Sequence, residues 1–131
     1  MFAAVFILLY VAHLAADYPL QTDHQAAHKA DRSAEGWRAN VVHAGTHAAA
    51  CTAALLAGAA FLPEVALPVV RTVIAVAWIG VTHSVVDRRW PVVWWMDHTR
   101  QRAFRERGGA AHVDQTAHVL ALAVAALVIA A

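Results

Sequence analysis

The sequence predicts an all-α fold: a four-helix transmembrane bundle running up-down-up-down, with two polar loops on one side. Three observations predict it. Apolar residues make up 60% of the chain and charged residues 15%, against roughly half and a quarter in soluble domains. The apolar residues fall in four long blocks, approximately 2–20, 39–62, 65–87 and 112–131. Nine of the ten Lys and Arg residues lie in the two segments that alternate with those blocks on one side.

Each block approaches the roughly 20 residues that cross a bilayer at about 1.5 Å per residue. The first carries Asp17 near its end. It lacks a basic start and a small-residue cleavage site, and Gln21 follows closely, so a retained helix is expected rather than a signal peptide. The second has no Asp, Glu, Lys or Arg, whereas a helix on a soluble surface needs a polar side. Its Cys51 is the only cysteine, which excludes a disulfide within the chain and leaves a small packing residue. A tight turn at Leu62, Pro63 and Glu64 joins the second block to the third, because Pro63 cannot continue a helix. Pro68 is tolerable in the first turn of the next. The fourth block closes the chain, and 131 residues make one domain.

Four spans put both termini on one side and the loops 18–38 and 88–111 on the other. Lys29, Arg32, Arg38, Arg88, Arg89, Arg100, Arg102, Arg105 and Arg107 fall on the loop side, and only Arg71 falls opposite. The positive-inside rule makes the loop side cytoplasmic, with both termini outside, in a multi-pass cell-membrane protein. Trp37, Trp90, Trp94 and Trp95 lie on the same side, as an interfacial aromatic belt would. The apolar run 91–96 is too short to span and is expected in the interface or dipping back into the protein. A net charge of +1 gives no basis for bulk electrostatic binding of nucleic acid. Membrane lipids are the expected surroundings, and oligomeric state is left open.

The ionisable residues beside the spans come in pairs. His13 and Asp17 end the first block, and His43 and His47 begin the second. His83 and Asp87 end the third, and Asp114 and His118 begin the fourth. Each pair is spaced i, i+4, so its side chains share one helix face. Alternating helix direction brings all four pairs to one level, on the cytoplasmic side. A single intramembrane His is more often a helix–helix hydrogen bonder than a ligand. Four pairs at one depth are different, since each isolated charge costs about 2.5–3.5 kcal/mol in the bilayer on the gentlest scale. A divalent ion offsets that cost by taking carboxylate oxygen and neutral imidazole together. Eight donors suit two ions about 3.5–4 Å apart, or one ion with an outer shell. Zinc, manganese or magnesium fits this mixture. Bis-His haem fits poorly with the accompanying Asp residues. A di-iron oxygenase favours Glu, which no block contains.

Around this cluster lie Gln21, Thr46, Thr82, Ser84 and Thr116, with capping or packing preferred for Ser84 and Thr116. Asp97 and His98 in the second loop are the candidates for a further ligand or a catalytic base, balanced by a solvated-loop reading. His24 and His28 are again spaced i, i+4 but sit in the polar loop, so exposure is expected. The Arg100–Arg107 run suits lipid headgroups and equally a phosphate-bearing substrate.

The stretch His13-Leu14-Ala15-Ala16-Asp17-Tyr18-Pro19-Leu20-Gln21 resembles the opening signature of a family of small, uncharacterised bacterial and phage integral membrane proteins, a domain of unknown function. The pattern is His, three residues, Asp, then Leu-Gln, with a later His that falls here on His43, and the resemblance covers most of the chain. It implies a membrane fold and the polar positions, and no reaction. Thr82-His83-Ser84 with Asp87 is similar, over one helix end, to the Thr-His-Ser motif of the longer membrane-bound metal-dependent hydrolases of the DNA-damage regulon. The expected function is metal-dependent hydrolysis of a phosphoester or amide. A divalent ion would activate water, and an Asp or His outside its ligands would move the proton. The alternative is a small transporter or metal-binding membrane protein without catalysis. Transporters usually place their site near the midplane with broken helices, whereas this cluster is off-centre.

Overall fold

The computed structural model describes residues 1–131, and the chain is all helical. Helix α1 spans Phe2–Asp17, α2 Asp23–His28, α3 Ala34–Phe61 and α4 Val69–Val86. They are followed by α5, Trp90–His98, the single turn α6, Arg102–Phe104, and α7, Ala110–Ala130. A kinked linker, Arg105–Gly109, joins α6 to α7. Its Gly108 has φ +92°, a left-handed conformation that glycine adopts without strain.

Local chemistry sets the boundaries. Helix α1 ends three residues short of the expected 20 because Pro19 has no N–H with which to continue the helical ladder. A capping box starts α2. The Thr22 hydroxyl accepts from the Gln25 amide at 3.2 Å and the Gln25 side chain accepts from the Thr22 amide at 3.0 Å. Helix α3 begins at Ala34, five residues before its apolar block. Ser33 caps it by accepting from the Gly36 amide at 3.0 Å, and Glu35 complements the helix dipole in the first turn. Pro63 and Pro68 bracket the turn between α3 and α4. The segment 88–111, expected as a loop, is mostly helical, with Pro91 in the first turn of α5.

Helix α1 packs on α3 and α7, and α4 packs on the same two. An apolar core fills one end of this assembly, with Val5, Leu9, Leu55, Ile79, Leu122 and Ile129 all buried. Cys51 is buried there too, its Sγ 4.0 Å from the Leu9 carbonyl. The outward surface is also apolar. Val41, Val42, Leu56, Val73, Val81 and Leu120 are each more than half exposed. Three helical stretches are long and apolar enough to cross a membrane: Ala34–Phe61, Val69–Val86 and Arg102–Ala130. Helix α1, at 16 residues, is shorter. An outer surface of this kind is compatible with lipid surroundings.

Candidate metal centre

Opposite the apolar core, the last turn of α1, the third and fourth turns of α3, the end of α4 and the start of α7 converge. His13, Asp17, His43, His47, His83, Asp87 and His118 are all buried there. The i, i+4 spacing accounts for it, since residues so spaced share one helix face, and in the first three pairs that face is turned inward. Asp114 is partly exposed, with Oδ2 3.5 Å from His118 Nε2.

The donor atoms fall into two groups, each within 4.8 Å across. One comprises Asp17, His43, His47 and His83, and the other His83, Asp87 and His118. His83 belongs to both, and its ring stacks on His47 at 3.5 Å and on His118 at 4.3 Å between centroids. Of the eight residues singled out in the sequence, six form these groups. His13 and Asp114 stand beside them: the His13 ring lies 4.8 Å from that of His47, and its Nε2 is 3.0 Å from Asp17 Oδ2.

Donor spacing is informative. Asp17 Oδ1 is 3.4 Å from His43 Nε2 and 3.2 Å from His47 Nε2. Asp87 lies 3.4 Å from His43 Nε2 through Oδ2 and 3.6 Å from His118 Nε2 through Oδ1. Good N–H···O bonds centre near 2.9–3.0 Å. Two ligands of a tetrahedral ion bonded at about 2.05 Å lie roughly 3.3–3.4 Å apart. Two contacts are closer: His13 Nε2 and His83 Nε2 lie 3.0 Å from Asp17 Oδ2 and Asp87 Oδ2. The opposite ring nitrogens, Nδ1 of His13, His43, His47 and His83, are buried without a hydrogen-bond partner. Each unpaired buried polar group costs about 1–3 kcal/mol, so this cluster is a liability as a purely structural element.

Two cations sit over the cluster. Lys29 follows α2 directly, with Nζ 2.9 Å from Asp87 Oδ2 and 3.1 Å from His43 Nε2. Buried Arg88 donates to the carbonyls of Lys29, at 2.9 Å, and Asp31, and its guanidinium stacks 4.1 Å above the Trp37 ring. It thereby fixes the segment that carries Lys29. A cavity of about 550 Å³ opens beside Asp87 and Asp114, lined also by Gln21, Lys29 and Arg89. A larger groove of about 710 Å³ between α3 and α4 is almost entirely apolar and carries none of these donors.

The remaining polar residues divide cleanly. Thr46, Thr82 and Thr116 donate to the carbonyls of Val42, Trp78 and His112 one turn back, at 3.1, 2.7 and 2.7 Å. Ser84 bonds Asn40, whose amide also donates to the Ser84 carbonyl at 3.1 Å. Gln21 donates to the Asp17 carbonyl at 2.9 Å. Asp97 is ion-paired to Arg105 at 3.0 Å, and His98 Nδ1 lies 2.7 Å from the Trp94 carbonyl. Neither Asp97 nor His98 joins a donor group or lines the cavity. Sequence reasoning overlooked Lys29, Asn40 and Gln115, the last 3.4 Å from Asp17 Oδ2. Asn40 was within reach, three residues before His43 on the same face. Lys29 looked like any loop charge.

The family model described as protein of unknown function (DUF3307) matches residues 5–131. The chain belongs to the DUF3307 family. No curated protein and no solved structure matches it. The His13–Gln21 signature therefore lies within a family whose description assigns no activity, and the chemistry has to be read from the His/Asp groups themselves.

Proposed function

We propose that this DUF3307 protein is a multi-pass membrane enzyme that holds one or two divalent ions and hydrolyses a phosphate-bearing substrate. In this reading α1, α3, α4 and α7 run up-down-up-down across the bilayer as one domain. The nine-to-one division of Lys and Arg supports cytoplasmic loops and external termini. The metal site then faces the cytoplasm.

The observation that carries the reading is the set of four buried imidazoles, His13, His43, His47 and His83, whose Nδ1 atoms have no hydrogen-bond partner, together with His43 and His118 Nε2 at 3.4–3.6 Å from carboxylate oxygens. Asp17, His43, His47 and His83 supply one ligand group, and His83, Asp87 and His118 a second, with His13 and Asp114 supporting them. An imidazole-rich donor set favours zinc over manganese or magnesium. A bound ion supplies a Lewis acid and a nucleophilic water at neutral pH. Hydrolysis is supported by the cavity beside Asp87: Lys29 and Arg89 line it and suit an anion, and Asp114 is placed to take a proton.

Protein purified without a polyhistidine tag in detergent tests both halves. Elemental analysis is expected to find one or two transition-metal ions per chain, and chelation followed by metal return is expected to abolish and restore turnover on a phosphoester panel. Metal-free protein whose melting ignores chelator would sink the metal reading. Firmly held metal without turnover on any ester would remove the hydrolase and leave a binding or transport protein.

A further inference from the structure

A second set of metal-type donors lies outside the buried cluster. His24 and His28 stand one turn apart on α2, and Glu35 occupies the first turn of α3. One donor atom from each lies within 4.8 Å of the other two. His24 Nε2 is 3.8 Å from Glu35 Oε1, and the two imidazole centroids are 4.9 Å apart. A separation of 3.8 Å is too long for a hydrogen bond. It is within a few tenths of an ångström of the roughly 3.4 Å between two ligands of a tetrahedral zinc ion. The side chains are about half exposed, so the small closure needed meets no packing.

Asp31 supplies an independent indication. Its Oδ2 is 2.9 Å from His28 Nδ1. A carboxylate only accepts, so Nδ1 carries the proton and Nε2 is left as the free donor. A carboxylate behind an imidazole in this way fixes the tautomer and orients the ring for a metal. The Asp31 backbone is itself held, its carbonyl accepting from Arg88. Two of the three donors, His24 and Glu35, also line a hollow of about 650 Å³ together with Arg38. That leaves room for a fourth ligand, and Arg38 there favours water or an anion.

We infer that His24, His28 and Glu35 form a second, solvent-accessible site for a zinc-type divalent cation, with Asp31 orienting His28. The site stands on its own geometry, apart from the proposed hydrolysis. Its position gives it a role. Helix α2 leads directly into Lys29, whose ammonium reaches Asp87 and His43. An ion bridging α2 to α3 fastens the segment that carries Lys29 across the buried cluster, so occupancy of the outer site steadies the cover of the inner one.

Zinc titration of the tag-free protein in detergent tests this, with bound zinc counted after each addition and amide exchange of α2 followed in parallel. The wild type takes up one more chelator-labile equivalent than the His24→Ala/His28→Ala double variant, and its α2 amides exchange more slowly when zinc is added. Asp31→Asn keeps the stoichiometry and weakens that equivalent about 10- to 100-fold. These residues are exposed, so the variants are expected to fold. Ions retained through purification without added zinc report the buried groups separately. Equal labile uptake by wild type and double variant, or unchanged affinity in Asp31→Asn, overturns the outer site.

Discussion

His83→Leu separates a metal centre from a structural polar cluster, because the two accounts predict opposite signs. His83 is the one donor common to both groups; its Nε2 lies 3.0 Å from Asp87 Oδ2, and its buried Nδ1 has no hydrogen-bond partner. If the cluster is a metal centre, the variant loses a ligand from each group. Loss of an outer partner typically costs 10- to 100-fold in affinity, so loss of His83 is expected to exceed about 100-fold, or roughly 2.7 kcal/mol, per ion. The chelated protein behaves differently. There the variant replaces a buried imidazole whose Nδ1 is unsatisfied by an apolar side chain of similar bulk, relieving a penalty of about 1–3 kcal/mol that offsets the lost Nε2 contact to Asp87, which keeps Lys29 and His118 beside it. The chelated variant is therefore expected to melt no lower than the chelated wild type, and to melt below the metal-loaded wild type. A ligand at about 100 times its Kd adds roughly 2.7 kcal/mol of stability that only the wild type can gain. The assay is thermal unfolding in detergent with and without chelator, beside elemental analysis. A helix-bridging histidine of the usual kind would cost about 0.6 kcal/mol when removed, equally with and without chelator. That outcome would refute the reasoning.

Lys29→Met is expected to tighten divalent binding roughly tenfold, because the ammonium competes for Asp87 Oδ2 and His43 Nε2, and to raise KM for anionic substrates; unchanged ion affinity by titration would contradict the competition. Lowering the pH from about 7.5 to about 5.5 is expected to release the buried ions, since protons compete for the same imidazole lone pairs and binding must weaken as pH falls; occupancy that rises on acidification would contradict it. Reporter fusions at Ala131 and near Arg105 are expected to report an external C-terminus and a cytoplasmic second loop; a cytoplasmic C-terminus would reverse the orientation.

The cluster was legible in the sequence because it rests on one periodicity. His13/Asp17, His43/His47, His83/Asp87 and Asp114/His118 each repeat at i, i+4, and alternating direction predicts a common level. The structure brings six of these residues into two donor groups and leaves His13 and Asp114 at their margin. Boundaries were less legible. Hydropathy starts the second block at 39, but the Ser33 cap extends α3 back to Ala34 through charged residues that hydropathy rejects. Hydropathy also carries the first block to 20, past Pro19, which ends α1 at Asp17. The polar segments were hardest to read. Lys29 enters the cluster only because Arg88 clamps the backbone at Lys29 and Asp31, contacts across more than fifty residues that no local pattern announces. Asp97 and His98 looked equivalent to the other Asp and His residues in composition. Their helix instead turns them to Arg105 and to the Trp94 carbonyl.

X-ray absorption at the metal edge, on tag-free wild-type protein purified in detergent, tests the metal centre most directly. The account predicts a transition-metal edge, a first shell of nitrogen and oxygen at about 2.0–2.2 Å, and the outer-shell scattering that several imidazoles produce. An absent edge, or a shell of water oxygens without imidazole scattering, would contradict it.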